Sequence, residues 1–423
     1  MNTPVKHFTS TMTGAPVVGN NWGDLVALLD ACLVNGFGLK AIDSLTSAGG
    51  IATASISTGH AYQPQQTVLV AGATQAPYNG EVRVLATTAT TFTYALPGTD
   101  TPASPATTSA SITAKVAPLG WEKPFAATHK GAYRSKNPQS PQNILLVDNA
   151  LKTPGYTSTW AKWANVGIVE DMGDIDTLVG AQAPFDPALP TKNWQPVQAS
   201  RWGWHKWYHA RTNTTESAGD GGAGARSWVL VGDDRLFFLC LAAGPSTASA
   251  GFAGRICYCF GDLTSFRPGD NYATVLSAED NYADGHYSYP GLFSGYGLNQ
   301  SLDYSGKVLL RDHSQMGNPV RFGVTSLNIS NSQQICGRGT MPFPNGADYS
   351  LWLLPTYVQQ EGGHMRGMMP GMLWIPQNRP YGDLTVVDNV VGQPGKRFLL
   401  VRTYSTNEAE GAQIAFDITG PWR

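Results

Sequence analysis

The sequence predicts a mainly β protein: a β-sandwich-like body with one N-terminal helix and a small inserted β-barrel or sandwich module. Three observations carry that reading. Charged residues make up only 14% of the 423 positions, well under the usual quarter. Turn formers and large aromatics are abundant, with 47 Gly, 28 Pro, 12 Trp and 17 Tyr. Short apolar or alternating runs, separated by turn clusters, recur from about Ala41 to the C-terminal end. They follow no regular repeat and do not alternate with helices, which argues against a propeller, a β-helix and a doubly wound parallel sheet.

The helix signal is NNWGDLVALLDACLVNGFG. Asn21 is the candidate cap and Asp24 falls in the first turn. Leu25, Leu28, Leu29 and Cys32 form an apolar stripe at helical spacing, and Gly36 can end the helix. One stripe means one buried face, so this helix is a candidate assembly element. The expected organisation is a helical anchoring segment over 1–41 packed with the main body, a β module over 42–117, and one or more β-rich domains over 118–423.

The module strands read GIATASIS, QTVLVAG, GEVRVLA, TFTYAL and ASITAKVAPL. Val82 and Val84 share one face, as do Phe92, Tyr94 and Leu96. The Thr/Ser/Ala/Pro stretch over 97–111 is expected to be the module's most mobile loop. TVLVAGATQAPYNGEVRVL begins like a phosphate loop, but residues 67 to 85 contain no lysine and a strand follows. It reads instead as a hairpin turning at Asn79-Gly80, with Pro77 and Tyr78 presented at the turn. Further along, WVLVGDDRLFFL reads as a hairpin turning at Gly232, Asp233 and Asp234.

The chemical motifs are weak. Gly219, Gly221 and Gly224 spell GxGxxG, but they follow a polar run and lead into a strand, the reverse of a dinucleotide site. Glu170, Asp171, Asp174 and Asp176 could bind calcium or act as a glycosidase pair; EF-hand spacing is absent, and a solvated acidic loop is preferred. In RWGWHKWYH, His205 and His209 are spaced for a metal on a helix, but no third ligand is near. Core or subunit-interface packing is preferred there, with Trp202, Trp204, Trp207 and Tyr208 as a sugar-stacking platform the second reading. Ser294 lacks the spacing of a nucleophile elbow. Met365, Met368, Met369 and Met372 suit irregular packing. No catalytic residue, metal or cofactor is expected, and the chain is read as not an enzyme.

Cys32, Cys240, Cys257, Cys259 and Cys336 are odd in number and form no CxxC pair; they read as reduced core residues. Cys257 and Cys259 share a strand face, too far apart to bond easily. The N-terminal stretch lacks a signal-peptide core and no run of about 18 apolar residues occurs, so no membrane insertion is expected. A formal net charge of −2 gives no reason to expect nucleic-acid binding.

Several pieces together resemble a family of tailed-bacteriophage virion structural proteins associated with the tail tip or baseplate. They are WGDLVALLDACLVNGFG, the module from GIATASISTGH to TFTYAL, APLGWEKPF, VEDMGDIDT, SWVLVGDDRLFFL, CYCFGDLTSFRPGD, and the C-terminal GKRFLLVRT with AQIAFDITGPWR. The RWGWHKWYH run departs from that pattern, being richer in aromatics. The resemblance carries no catalytic motif. It implies a structural subunit in the virion, assembled in the host cytoplasm, contacting other virion proteins and forming a homo-oligomer. The alternatives are a receptor-binding or polysaccharide-recognising tail protein that contacts a host-surface glycan, then a capsid decoration protein. A glycan hydrolase using Glu170, Asp174 or Asp176 is the least favoured.

Overall fold

The computed structural model describes residues 5–98, 101–151, 157–159, 161–185, 205–210, 222–242, 244, 255–279, 306–326, 341–378, 380–403 and 413–423. The fold is mainly β, with 48% strand and 5% helix. It opens with β1 (Lys6–Thr9) and α1 (Asp24–Leu29), which widens into a π-helical turn over Asp30–Asn35. Then come β2 (Phe37–Ile42), β3 (Ser44–Ala48), β4 (Ile51–Ser55), β5 (Thr67–Ala71), β6 (Gly80–Thr87), β7 (Thr91–Ala95) and β8 (Ile112–Val116). Next are β9 (Glu122–Ala127), β10 (Lys130–Arg134), β11 (Ile144–Asp148), β12 (Trp163–Asp174), β13 (Thr177–Ala183) and β14 (His205–Tyr208). The chain continues with β15 (Trp228–Gly232), β16 (Leu236–Leu241), β17 (Ile256–Asp262), β18 (Thr264–Ser265), β19 (Thr274–Ser277) and β20 (Lys307–Leu309). It ends with β21 (Val320–Thr325), β22 (Leu354–Gln360), β23 (Met365–Ile375), β24 (Val386–Asp388), β25 (Arg397–Arg402) and β26 (Gln413–Asp417).

Among the described residues these strands form three antiparallel sheets. The largest runs β1-β15-β16-β17-β19-β20-β21-β22-β23-β26-β25-β24, with β18 beside β23. It doubles back on itself. Val229, Phe238, Cys240, Cys257 and Cys259 of its first half share a core with Met369, Met372, Leu399, Ile414 and Phe416 of its second. The Phe238 and Phe416 rings meet at 5.1 Å. This is the predicted sandwich. The opposite face of β15–β17 carries Trp228, Leu230, Phe237, Leu239, Tyr258 and Phe260, and it is buried too, in a core shared with α1, the second sheet and the module. Strands covered on both faces need apolar residues at every position, and all six residues of LFFLCL are buried.

The second sheet runs β13-β12-β11-β10-β9, with β14 against β12. VEDMGDIDT lies here. It is not a loop: it forms the β12–β13 hairpin, because Met172 pairs with Leu178 and closes an apolar patch with Ile144 and Leu146.

The third sheet, β2-β8-β5-β6-β7-β4-β3, is the module. Its first strand begins at Phe37, inside the segment read as the helical anchor. Only one face is covered, so β8 alternates buried and half-buried positions. The β5–β6 hairpin forms, with Val68 opposite Val82 and Val70 opposite Gly80. The expected two-residue Asn-Gly turn does not. Ala76–Tyr78 makes a 3-10 turn, and Gly80 already belongs to β6. Asn79 is extended, its side chain accepting from Ala73 N–H at 3.0 Å and donating to Ala73 C=O at 2.7 Å. Tyr78 is buried rather than presented, its hydroxyl donating to Ser47 Oγ at 2.9 Å. Pro77 is half-buried. The Thr/Ser/Ala/Pro stretch is bonded along the module: Ala106 N–H to Leu45 C=O at 2.7 Å, and Thr108 Oγ1 to Gly72 C=O at 2.7 Å.

The helix start also differs from expectation. Gly23, with φ 92°, occupies the cap position instead of Asn21. The capping acceptor comes from far along the chain: Asn149 Oδ1 takes the N–H groups of Gly23 (2.9 Å) and Leu25 (3.1 Å). The stripe Leu25, Leu28, Leu29 and Cys32 is fully buried within its own chain. It docks on the body and so is not an exposed assembly face.

Candidate functional site

A polar cleft lies where the β15–β16 turn, the β17–β18 region and the C-terminal residues meet. The turn forms as predicted, because Asp233 Oδ1 accepts the N–H groups of Arg235 and Leu236, each at 2.8 Å. Trp121 Nε1 donates to Asp233 C=O at 3.0 Å from behind. β17 crosses this turn at Gly261, with φ 133°, where a Cβ would strike the Arg235 carbonyl. That crossing puts Asp262 within reach of Arg235, whose Nε donates to Asp262 Oδ2 at 3.1 Å. Thr274 Oγ1 donates to Asp262 Oδ1 at 2.9 Å.

The C-terminal residues complete the group. Trp422 lies over Gly371, where a Cβ would fall inside the indole, and its Nε1 donates to Asp417 C=O at 2.8 Å. This seats Arg423, which donates to Asp233 Oδ2 at 2.6 Å and to the Asp262 carbonyl. Burial pushes the carboxyls of Asp233 and Asp262 up from their usual range, against the pull of Arg423 and Arg235. Beside them opens a cleft of about 440 Å³ bordered by Pro138, Pro141, Arg235, Arg267 and Arg423. Its floor holds Asp270, which Arg366 meets at 3.1 Å with both side chains buried. Burial pushes the Asp270 carboxyl up, but Arg366 and its hydrogen bonds outweigh that and hold it low.

Each carboxylate oxygen of Asp233 and Asp262 therefore has a donor. The arrangement is a knot of ion pairs, and the exposed guanidinium of Arg267, which donates to His313 C=O at 2.6 Å, borders the cleft beside it. Such a rim can take a carboxylate or a backbone carbonyl from outside. It does not offer two carboxylates with opposed roles.

The aromatic run is core. Trp207 is fully buried, stacks on Tyr258 at 5.7 Å and donates to Ser277 C=O at 2.8 Å. Tyr208 is buried edge-on to Trp163 at 6.0 Å. Neither can serve as a sugar platform, because both faces of β14 are covered. Trp202 and Trp204 lie outside the described residues. His209 Nδ1 donates to Gly19 C=O at 2.9 Å, and its Nε2 accepts from Asn149 Nδ2 at 3.1 Å. Burial holds its pKa down to about 4, so the ring is neutral. His205 is buried as well and held to about 3. His209 orders the helix cap, whereas neither ring nitrogen of the buried His205 has a hydrogen-bond partner among the described residues.

Glu170 accepts from Ala181 N–H at 2.8 Å and Tyr272 Oη at 3.0 Å, and Asp176 pairs with Lys130 at 2.9 Å. The Asp174 carboxylate accepts from Asp176 N–H and Thr177 Oγ1, both at 2.9 Å. Among the described residues no group of three or more His, Cys, Asp or Glu could hold a metal ion. Cys32, Cys240, Cys257 and Cys259 are buried thiols, none of them in a disulfide. Cys240 sits directly opposite Cys257 on β16 and β17, a pairing that spacing along the chain does not reveal. Met369 and Met372 fill the sandwich core. Gly219, Gly221, Ser294 and Cys336 lie outside the described residues. Sequence reasoning missed Asn149, Asp262 and Arg423; only the ion-pairing residue types in GDDR, FGD and PWR could have pointed to the knot.

No protein-family model matches the chain, and neither does any curated protein sequence.

Proposed function

We propose that this chain is a structural subunit of a phage virion, at the tail tip or baseplate, and that it is not an enzyme. One observation supports this reading above the others. Three of the segments that resemble tail proteins, SWVLVGDDRLFFL, CYCFGDLTSFRPGD and AQIAFDITGPWR, are tied together by Asp233, Asp262 and Arg423. They hold the sandwich to its C-terminal end and expose no nucleophile or acid–base pair. The residues with catalytic potential elsewhere, His205, His209 and the described cysteines, are spent inside the core. The module, with its own one-sided sheet, is the part free to meet neighbours.

The test is an image of particles labelled with antibody against the purified protein. Label at the distal tail is the expected result; label at the portal or inside the capsid removes the placement. Incubation with host-surface polysaccharide should release no reducing ends above buffer.

A further inference from the structure

The large sheet begins at β1 and ends at β24. Among the described residues these ends are its two unpaired edges, and residues of both line a second cleft, of about 470 Å³, roofed by the module loop before β5. His7, Thr9 and Thr11 form one wall, Leu384, Val386 and Leu399 the other, with Gln63 and Pro64 above. The volume is that of a ligand cleft.

Backbone register shows what the edges offer. Ser10 N–H bonds Trp228 C=O at 3.0 Å, and Phe8 pairs with Leu230, so Phe8 and Ser10 point their backbone groups at β15. His7 and Thr9 therefore point theirs away. On β24, Leu400 N–H bonds Thr385 C=O at 2.9 Å, and Val386 pairs with Leu399, so Val386 and Asp388 point outward. No partner for these four N–H groups exists among the described residues. Residues of both edges face one cleft, and a strand added to an edge lies about 4.8 Å from it.

Charge narrows the occupant. Arg83, on the module, and Arg397, on β25, lie close enough to repel each other and His7. Neither arginine has an ion-pair partner among the described residues. Of the nearby acids, Glu81 pairs with Lys6 and Asp417 with Lys396, each at 2.7 Å, while Asp388, opposite Arg397 in the β24–β25 register, accepts from the Asn389 amide at 3.1 Å. Two half-buried guanidinium groups near the open strand edges thus form no ion pair among the described residues.

We propose that the β1/β24 seam is a docking slot for an extended acidic segment of a neighbouring protein, which adds as a strand between the two edges and sets a carboxylate against Arg83 and Arg397. The inference rests on the seam alone and stands whether or not the chain is a virion subunit.

The test uses the full-length protein and a fluorescein-labelled peptide, acetyl-Thr-Val-Glu-Val-Thr-Val-Glu-Val-amide, against a twin with Gln for each Glu. Anisotropy should show the acidic peptide binding about tenfold more tightly. The Arg83→Ala, Arg397→Ala double variant should erase that difference. Val386→Pro, which removes an outward N–H without breaking the β24–β25 ladder, should weaken both peptides. Equal binding of the twins to the wild type, or binding unaffected by either variant, overturns the proposal. Free glutamate competing as well as the peptide also overturns it, leaving a small-anion site only. If Val386→Pro does not fold, amide exchange on the wild type decides: peptide must slow His7, Thr9, Val386 and Asp388, and no slowing overturns the slot. Bound carboxylate should also raise the His7 pKa, held near 4 by desolvation, Arg83 and Arg397 in the free protein.

Discussion

Two β regions of this chain solve burial differently. In the module, β7 reads TFTYA and only Phe92 and Tyr94 are buried. In the central layer, β16 reads LFFLCL and every residue is buried. Both are antiparallel. The difference lies in how many faces are covered: the module sheet has one core, whereas β15–β17 separate two. Alternation along a strand thus reports coverage, not the direction of pairing.

The comparison can be broken by adjacent substitutions. In the central layer, Phe238→Ala and Leu239→Ala face opposite cores, so each should cost about 4 kcal/mol in urea unfolding. If either is cheap, that face is not a core. The knot gives the next largest effect. Arg423→Ala leaves the buried Asp233 carboxylate without its cation, and a loss of about 3 kcal/mol is expected. Equal stability would show that the C-terminal residues do not brace the sandwich.

A pH effect follows from His209. Its folded pKa, about 4, lies below the unfolded value near 6.5. The unfolded chain therefore binds more protons between those values, and stability is lost as pH falls through that window. Between pH 7 and pH 5 this residue should cost about 2 kcal/mol. His209→Gln should start less stable at pH 7 but show a shallower decline, read from urea midpoints. A slope equal to wild type would remove His209 as the cause. The smallest effect belongs to the module: Thr93→Ala should change stability by less than about 0.5 kcal/mol, whereas its neighbour Tyr94→Ala should cost about 3 kcal/mol.

What the sequence made legible follows the range of the interactions. The Leu25, Leu28, Leu29 stripe and the GDDR turn depend on neighbours within a few residues, and both formed as read. Asn79 misled because its side chain has a second use: it braces Ala73, so the chain needs no tight Asn-Gly turn. Trp207 was readable as core or platform, since an aromatic strand looks the same whether its second face meets solvent or Tyr258. The Cys240–Cys257 pair, the Arg423 knot and the β1/β24 seam depend on register and sheet order. No local pattern encodes those.

The remote cap of α1 has a consequence for the order in which the molecule is built. The helix has six α-helical residues before its π turn, too few to persist alone in water. Its cap acceptor, Asn149, lies 124 residues downstream of Leu25, beyond the whole module. Every strand pairing of the module, by contrast, closes between Phe37 and Val116. On a growing chain the module has all its partners while the helix still lacks both its cap and its docking surface. The first helix in the sequence is thus fixed only after the module that follows it can close.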